Sequence, residues 1–423
     1  MSAPAYRRVA VTGLGLVSPL GNAPATFFDN LLNGVSGVRP LPPGQELDGL
    51  NTRIAAQSDY NPADHLPKAR ASMLDRHAQM ALISANNALQ STAFATAGYD
   101  PARVGVYWGT GMGGAQAIAA ATRAVYQQGA QRLHPFTVIR VMSNAAASAI
   151  AQDHGLRGPC LTYSVACASS AISIGEAFQA VRAGGVDAAV AGGSEALITR
   201  LVVQAWEALQ TLAMHGDADG AQACRPFSAG RSGFVLGEGA ACVVLEDYAR
   251  ATRRGAVIHA ELVGYGASCD ATHVTKPDEA GQTAAMRAAL AQAGIPPEAV
   301  QYINAHGTAT QVGDVIETNA IKHVFGAHAK RLAVSSTKSM HGHMMGATGA
   351  MEFLATVMAL AQGAIPPTAH WLGPDPLCDL DWVPNEGRRH PNLAYAMSNS
   401  FAFGGSNAAL LVRRAGAATG PAP

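Results

Sequence analysis

Apolar positions along the chain fall into two kinds of run. Val9–Leu16 is short, mostly apolar and punctuated by Gly13 and Gly15, the pattern of a buried strand running into a turn. Asp187–Ala191, closed by Gly192 and Gly193, and Ala240–Leu245 are two further short runs. Between them, Met73–Leu89 and Gln282–Ala293 carry apolar residues at helical spacing. Buried strands alternating with amphipathic helices predict layered α/β packing.

The pattern also repeats. Leu161–Val165 is strand-like, and a turn leads into a small-residue helix that reaches Gly184 and Gly185. Leu332–Ser336 starts the same plan again, with a Gly-rich turn and a helix ending at Gly363. Ile174, Ala177, Phe178 and Val181 form the apolar stripe of the first helix; Phe353, Val357 and Leu360 form that of the second. Two such units in equivalent places predict a duplicated fold, with one half over 1–250 and the other over 251–414. The closing stretch 415–423, AGAATGPAP, has the composition of a disordered tail.

Composition narrows the function classes. With 423 residues, 48% of them hydrophobic, the chain can bury a large core. Lys+Arg and Asp+Glu are both 29, so no charge excess calls for nucleic acid or an anionic membrane as partner. Val104–Thr122 is uncharged, yet Gly109, Gly111, Gly113 and Gly114 with polar neighbours point to buried structure rather than a membrane span. The opening MSAPAYRRVAVTGLG lacks the apolar core of a secretion signal, and a cytoplasmic protein is expected. The six cysteines form no CxxC pair; Cys160, Cys224, Cys242, Cys269 and Cys378 are expected to be structural thiols.

Cys167 differs. It lies in TYSVACASSAISIGEAF, between a β-like and a helical stretch, with Ala166, Ala168, Ser169 and Ser170 leaving room for a substrate. A thiol at a helix N-terminus meets free N–H groups that favour thiolate. His306 in YINAHGTATQVGDVIE and His343 in VSSTKSMHGHMMGATGA sit in Gly/Thr-rich turns after apolar strands, where α/β folds place their sites. Lys338 precedes His343 by five residues, and His341 is a rival within that segment.

Seven segments, in order, resemble the β-ketoacyl-acyl-carrier-protein synthases, closest to the elongating type of fatty-acid and polyketide systems. They are VTGLGLVSPLGN (11–22), GTGMGG (109–114), VACASS (165–170), RPFSAGRSGFVLGEGA (225–240), NAHGTAT (304–310), STKSMHGHMMGATG (336–349) and NSFAFGGSN (399–407). The resemblance implies a thiolase fold, α/β with duplicated halves in five αβαβα layers. The first half would carry the nucleophile and the second the two histidines. It implies a decarboxylative Claisen condensation of an acyl chain held on Cys167 with malonyl-acyl carrier protein, giving a β-ketoacyl product. It needs no cofactor or metal of its own, the phosphopantetheine arm being carried by the acyl carrier protein. The partners would be that carrier and a second subunit, as homodimer or as heterodimer with a related ketosynthase-like chain.

The resemblance also implies residue roles. His306 and His343 would donate N–H groups to the malonyl enolate, and Lys338 would keep His343 neutral. The backbone N–H groups of Cys167 and Phe403 would form a second oxyanion hole. Asp314 and Glu317 would support the histidines from behind, and Thr308 and Thr310 would hold the pantetheine arm. Phe403 and Ala402 would form a gate, Ala402 standing where the family usually has glycine; alanine resists positive φ, which would narrow gate motion. Met112 and Trp206 would line the acyl pocket, Trp206 replacing a usual phenylalanine. Glu207–Gln210 replaces an Arg-bearing segment, His341 a usual threonine, and Ser228 and Ser232 usual acids. Lys68, Arg70 and Arg76 are candidates for docking an acidic carrier. Three other readings stay open: a non-catalytic chain-length-factor-like partner subunit, a thiolase or initiating synthase of the same fold, and a nucleotide-binding enzyme using the Gly-rich GTGMGG.

Overall fold

The computed structural model describes residues 6–41, 47, 49–214 and 220–417. The tail expected over 415–423 lies outside the described residues from 418 onward. In the first half the principal elements are β1 (Val9–Val17), α1 (Arg76–Ser91), β2 (Val104–Gly109), α2 (Ala145–His154), β3 (Cys160–Tyr163), α3 (Ser169–Arg182), β4 (Ala188–Glu195), α4 (Arg200–Ala208) and β5 (Gly239–Asp247). The second half supplies β6 (Ala260–Cys269), α5 (Glu279–Ala293), β7 (Tyr302–Asn304), α6 (Gly313–Phe325), β8 (Ala333–Ser335), α7 (Thr348–Gln362), β9 (Tyr395–Phe401) and β10 (Ser406–Arg414).

Among the described residues these ten strands pair in the order β8-β7-β9-β10-β6-β1-β5-β4-β2-β3. Counted outward from the centre, each half repeats one plan. The first strand pairs antiparallel with the fifth and the fifth with the fourth; the fourth runs parallel to the second and the second to the third. The halves meet where Val9–Val11 pairs with Ala260–Leu262. α3 and α7 pack on each other and each touches strands of both halves, which makes them the middle layer. α1 and α2 cover the outer face of the first half, and α5, with α6 beside it, that of the second. The duplication is the one expected from the repeated strand–turn–helix pattern, and the five layers are those the resemblance implies.

The middle helices explain their own composition. Every residue of α7 from Thr348 to Leu360 is buried, so it has no polar face and reads as nearly continuous apolar and small residues. Gly363 (φ +59°) and Gly184 (φ +76°) follow α7 and α3 in the left-handed conformation that ends a helix. Two boundaries differ from expectation. The helix expected from Met73 starts at Arg76, because Asp75 caps it by accepting the His77 N–H. The strand expected to close at Gly192–Gly193 runs on to Glu195. A Cβ on Gly192 would lie 2.1 Å from the Ala241 carbonyl oxygen, and one on Gly193 would lie 2.5 Å from the Ser170 Cβ. These glycines admit a neighbouring strand and helix rather than a turn. Val104–Thr122 divides between β2 and a helix at Ala115–Tyr126, and no helix among the described residues is long and apolar enough to cross a membrane.

Candidate active site

Cys167 sits in a one-turn 3-10 segment, Ala166–Ala168, that feeds the N-terminus of α3. Ala166 holds φ +44°, a conformation disfavoured for any side chain with a Cβ. The second half repeats the device: Met345, also at φ +44°, opens the 3-10 turn Met345–Ala347 before α7. The two turns face each other across the middle layer, and Cys167 Sγ lies 4.0 Å from Met345 Sδ. The duplicated fold therefore places one bent turn from each half at the same point, and only the first carries a nucleophile.

Both predicted histidines arrive at that point. His343 Nε2 lies 3.1 Å from Cys167 Sγ, and the His306 and His343 rings stand edge to face with centroids 5.6 Å apart. His343 Nδ1 accepts the Met345 backbone N–H at 3.2 Å and lies 2.9 Å from the Thr348 hydroxyl. A backbone amide can only donate, so the ring proton is assigned to Nε2, facing the sulfur. His306 Nδ1 lies 3.4 Å from Lys338 Nζ, which assigns its proton to Nε2 as well. Burial, and then the Lys338 charge, holds both imidazoles well below their ordinary value, so both are neutral donors.

His341 is turned away. Its Nδ1 faces the Gly342 carbonyl at 2.8 Å and its Nε2 the Thr337 hydroxyl at 3.0 Å. The rivalry between His341 and His343 ends in favour of His343.

The structure corrects three expectations about electrostatics. Cys167 is 6% exposed, and burial pushes its thiol up to about 11, outweighing the lowering by Lys338 and by the Phe403 and Cys167 N–H groups. The thiol, not the thiolate, is the resting form. Lys338 serves His306 more directly than His343, hydrogen-bonding the His306 carbonyl oxygen as well as approaching its ring. Burial, rather than Lys338, is the larger cause of His343 neutrality.

The sequence reading also missed Glu352, whose Oε1 lies 2.6 Å from Lys338 Nζ in a fully buried ion pair. The signal was present: Glu352 is the one charged residue in α7, TGAMEFLATVMALAQ. A single acid in an otherwise apolar buried helix needs a cationic partner.

Asp314 and Glu317 hold mainly backbone, with the Arg231 guanidinium 3.5 Å from Asp314 and the Asn399 amide donating to Glu317 at 3.4 Å. Glu317 accepts the N–H groups of His306 (2.8 Å) and Gly307 (2.7 Å); Asp314 accepts those of Phe227 (2.7 Å) and Thr308 (3.1 Å). Burial raises both, Asp314 to about 7. A Cβ on Gly307 would lie 2.6 Å from the Phe227 ring, so only glycine fits this loop at φ +31°. Glu195, also missed, does similar work on the opposite side. It accepts the N–H groups of Gly111, Met112 and Gly346. A carboxylate of the chain thus fills the GTGMGG loop where a nucleotide phosphate would sit, which removes the nucleotide-binding reading.

A cavity of about 1090 Å³ leads from the surface to Cys167, His306 and His343. Thr308, Thr310, Trp206, Ala402 and Phe403 line it. The Thr308 and Thr310 hydroxyls lie 3.0 Å apart. The Trp206 ring lies between Phe234 and Phe403, with centroids 5.4 and 5.8 Å away, and Phe234 continues to His343 at 5.1 Å. Met112 is a correction: it does not line this cavity and is 51% exposed on the surface of the chain. Ala402 does not narrow the loop as expected, because the positive φ values fall on Gly404 (+86°) and Gly405 (+80°) and not on Ala402. Two docking candidates are engaged within the chain. Arg76 pairs with buried Glu238 at 2.5 Å and Arg70 with Asp153 at 2.6 Å; Lys68 stays exposed.

The donor atoms of Cys167, His306 and His343 lie within 4.8 Å of one another, close enough for one soft metal ion. The raised thiol and the Lys338 charge both oppose a cation there. The arrangement suits instead a covalent thioester facing two neutral hydrogen-bond donors.

Comparison with known proteins gives the same direction. The family model described as the β-ketoacyl synthase N-terminal domain matches residues 6–251, and that of the C-terminal domain matches 259–371. The 3-oxoacyl-[acyl-carrier-protein] synthase 2 of Staphylococcus aureus (strain N315) is 41% identical over 411 residues, spanning 96% of this chain and 98% of the relative. Among solved structures, a ketosynthase bound to the hexaketide, in complex with its type II polyketide synthase acyl-carrier protein, superposes with a TM-score of 0.89 at 32% identity. That match covers 97% of this chain and 99% of the other. The ishigamide ketosynthase/chain length factor gives 0.90 at 32% identity, over 97% and 100%.

Proposed function

The chain belongs to the β-ketoacyl synthase family, and from that premise we propose the role each residue takes in its acyltransferase reaction. The enzyme condenses an acyl chain with malonyl-acyl carrier protein, with loss of CO₂, in fatty-acid or polyketide assembly. The observation that carries the residue assignment is Cys167 Sγ at 3.1 Å from a protonated His343 Nε2, with a second neutral imidazole beside it.

In the first half-reaction the Cys167 sulfur attacks the carbonyl of the acyl thioester. The carrier's C–S bond breaks, and its thiol leaves with the proton that Cys167 gives up. The N–H groups of Cys167 and Phe403, both directed at the sulfur, receive the oxyanion. In the second, the bond between the malonyl Cα and its carboxylate breaks and CO₂ departs. The electron pair moves onto the thioester oxygen, where His306 and His343 each donate an N–H. The enolate carbon then attacks the Cys167 thioester, the new C–C bond forms, and the C–S bond to Cys167 breaks. The released thiolate takes up a proton. Glu352 and Lys338 hold the His306 loop from below, and Thr308 and Thr310 grip the arm.

No cofactor is required beyond the phosphopantetheine carried by the partner. The second subunit is a copy of this chain or a related ketosynthase-like chain, and the setting is cytoplasmic. The non-catalytic reading is disfavoured by the assembled Cys167, His306 and His343, and the thiolase reading by the pair of neutral imidazoles with Lys338. Formation of β-ketoacyl product with release of CO₂ when acyl and malonyl carriers are supplied together tests the assignment, and absence of that product contradicts it.

A raised thiol has a kinetic signature. Below a value of about 11, thiolate grows about tenfold per pH unit. The single-turnover acylation rate is expected to climb through pH 6–9, whereas decarboxylation stays flat there because both imidazoles are already neutral. An acylation plateau near pH 7 contradicts this. Trp206 is assigned to chain selection. Trp206→Ala removes its contacts with Phe403 and Phe234 and should lower kcat/KM for the preferred chain about tenfold while admitting bulkier chains. A product-length profile reads the change, and an unaltered distribution contradicts the role.

A further inference from the structure

The loop after β6, from Asp270 to Asp278, forms part of the cavity lip. It is tied to the gate segment: Gly404 N–H donates to the Val274 carbonyl at 2.7 Å, and Asp270 N–H to the Gly405 carbonyl at 2.8 Å. His273 Nδ1 accepts the N–H groups of Thr275 and Lys276, both at 3.1 Å. Its proton is thereby assigned to Nε2, a free donor at the lip. Lys276 is the one Lys or Arg among the described residues that line the cavity.

Three acids lie close in sequence, and each is committed elsewhere. Asp270 accepts from the Asn407 amide (2.6 Å) and the Asp278 N–H (3.0 Å). Asp278 caps α5 through the Ala280 N–H (2.7 Å), and Glu279 pairs with His323. Farther along the lip, Glu207 accepts the Thr52 N–H at 2.6 Å. Among the described residues the Lys276 ammonium pairs with no carboxylate.

We propose that Lys276, with His273 beside it, seats the phosphodiester at the carrier end of the pantetheine arm; this rests on the condensation reading above. The cavity lining offers groups that match the parts of such an arm. The reactive thioester end meets Cys167 and the two imidazoles. The neutral amide stretch meets the Thr308 and Thr310 hydroxyls. The anionic end meets the lip's cation. A phosphodiester keeps its negative charge at neutral pH, so the contact is a charge-assisted hydrogen bond.

The test compares three donors of one acyl chain: its pantetheine thioester, its phosphopantetheine thioester and its intact carrier protein. Acylation of Cys167 is followed in the wild type, Lys276→Ala and Lys276→Arg. The expected result is a fall of about fivefold, the range of an exposed ion pair, in the kcat/KM ratio of phosphopantetheine to pantetheine donor for Lys276→Ala. Lys276→Arg restores it, and high salt erodes the wild-type ratio. An unchanged ratio overturns the proposal. A loss confined to the intact carrier also overturns it, because Lys276 would then meet the carrier's acidic surface. If no donor acylates the wild-type enzyme, the condensation reading itself falls, a result distinct from both.

Discussion

Cys167→Ala is expected to lose β-ketoacyl product formation by at least about 10³-fold, the scale on which removal of a covalent nucleophile acts, while still releasing CO₂ from malonyl carrier. The two half-reactions use different atoms. Acyl transfer needs Sγ, and no other cysteine stands in its place: Cys224, Cys242 and Cys378 are buried and line no part of the cavity. Decarboxylation needs charge stabilisation on the malonyl thioester oxygen. His343 is held for it by Met345 and Thr348, and His306 by Lys338 and Glu317, none of which depends on the sulfur. The alanine leaves both rings in place. Separate assays of CO₂ release and product formation on the purified variant check this. Loss of both activities together in a folded variant contradicts the division of labour.

The complementary loss comes from the rings. His306→Ala and His343→Ala are each expected to slow decarboxylation about 10²–10³-fold, because each removes one preorganised donor from a dry site, worth about 2.7–4 kcal/mol. The two should differ in acylation. His343 Nε2 contacts Sγ at 3.1 Å, so His343→Ala should also alter the rate of thioester formation. In the proposed mechanism His306 acts only in the second step and through its ion-paired loop. His306→Ala should leave single-turnover acylation within a few-fold of wild type, a modest change on the scale of one neutral hydrogen bond. Stopped acylation assays and CO₂ release, measured on both variants, separate the roles. Equal losses in both steps for both variants contradict the assignment.

Much of this arrangement was legible in the sequence. The repeat of strand, turn and helix around Cys167 and again around Gly346 anticipated two halves with one strand order. Glycines at 184 and 363 marked the ends of both middle helices. The motif set named Cys167, His306, His343 and Lys338, and the structure brings these four side chains together.

What escaped was whatever depends on distance rather than order. Local sequence can suggest that a cysteine before a helix is a thiolate, but the depth of burial that reverses this belongs to the packed middle layer. The choice between His341 and His343 rests on which ring faces the sulfur, and both occupy one short turn. Met112 sits in a motif beside the site, yet its side chain lies on the exposed surface of the chain. Gly192 and Gly193 read as the end of a strand because sequence gives no view of the strand and helix pressed against them. Arg76 read as surface charge because its partner, Glu238, lies 162 residues away.

In the proposed mechanism Cys167 carries the acyl chain between two steps run by different donors. Intact-mass measurement tests it most directly. The enzyme is incubated with acyl carrier alone, and malonyl carrier is then added. One acyl adduct per active site is expected, absent in Cys167→Ala, that disappears on addition of malonyl carrier as β-ketoacyl carrier two carbons longer accumulates. An adduct that persists in Cys167→Ala, or product formed with no adduct on the wild-type enzyme, would contradict it.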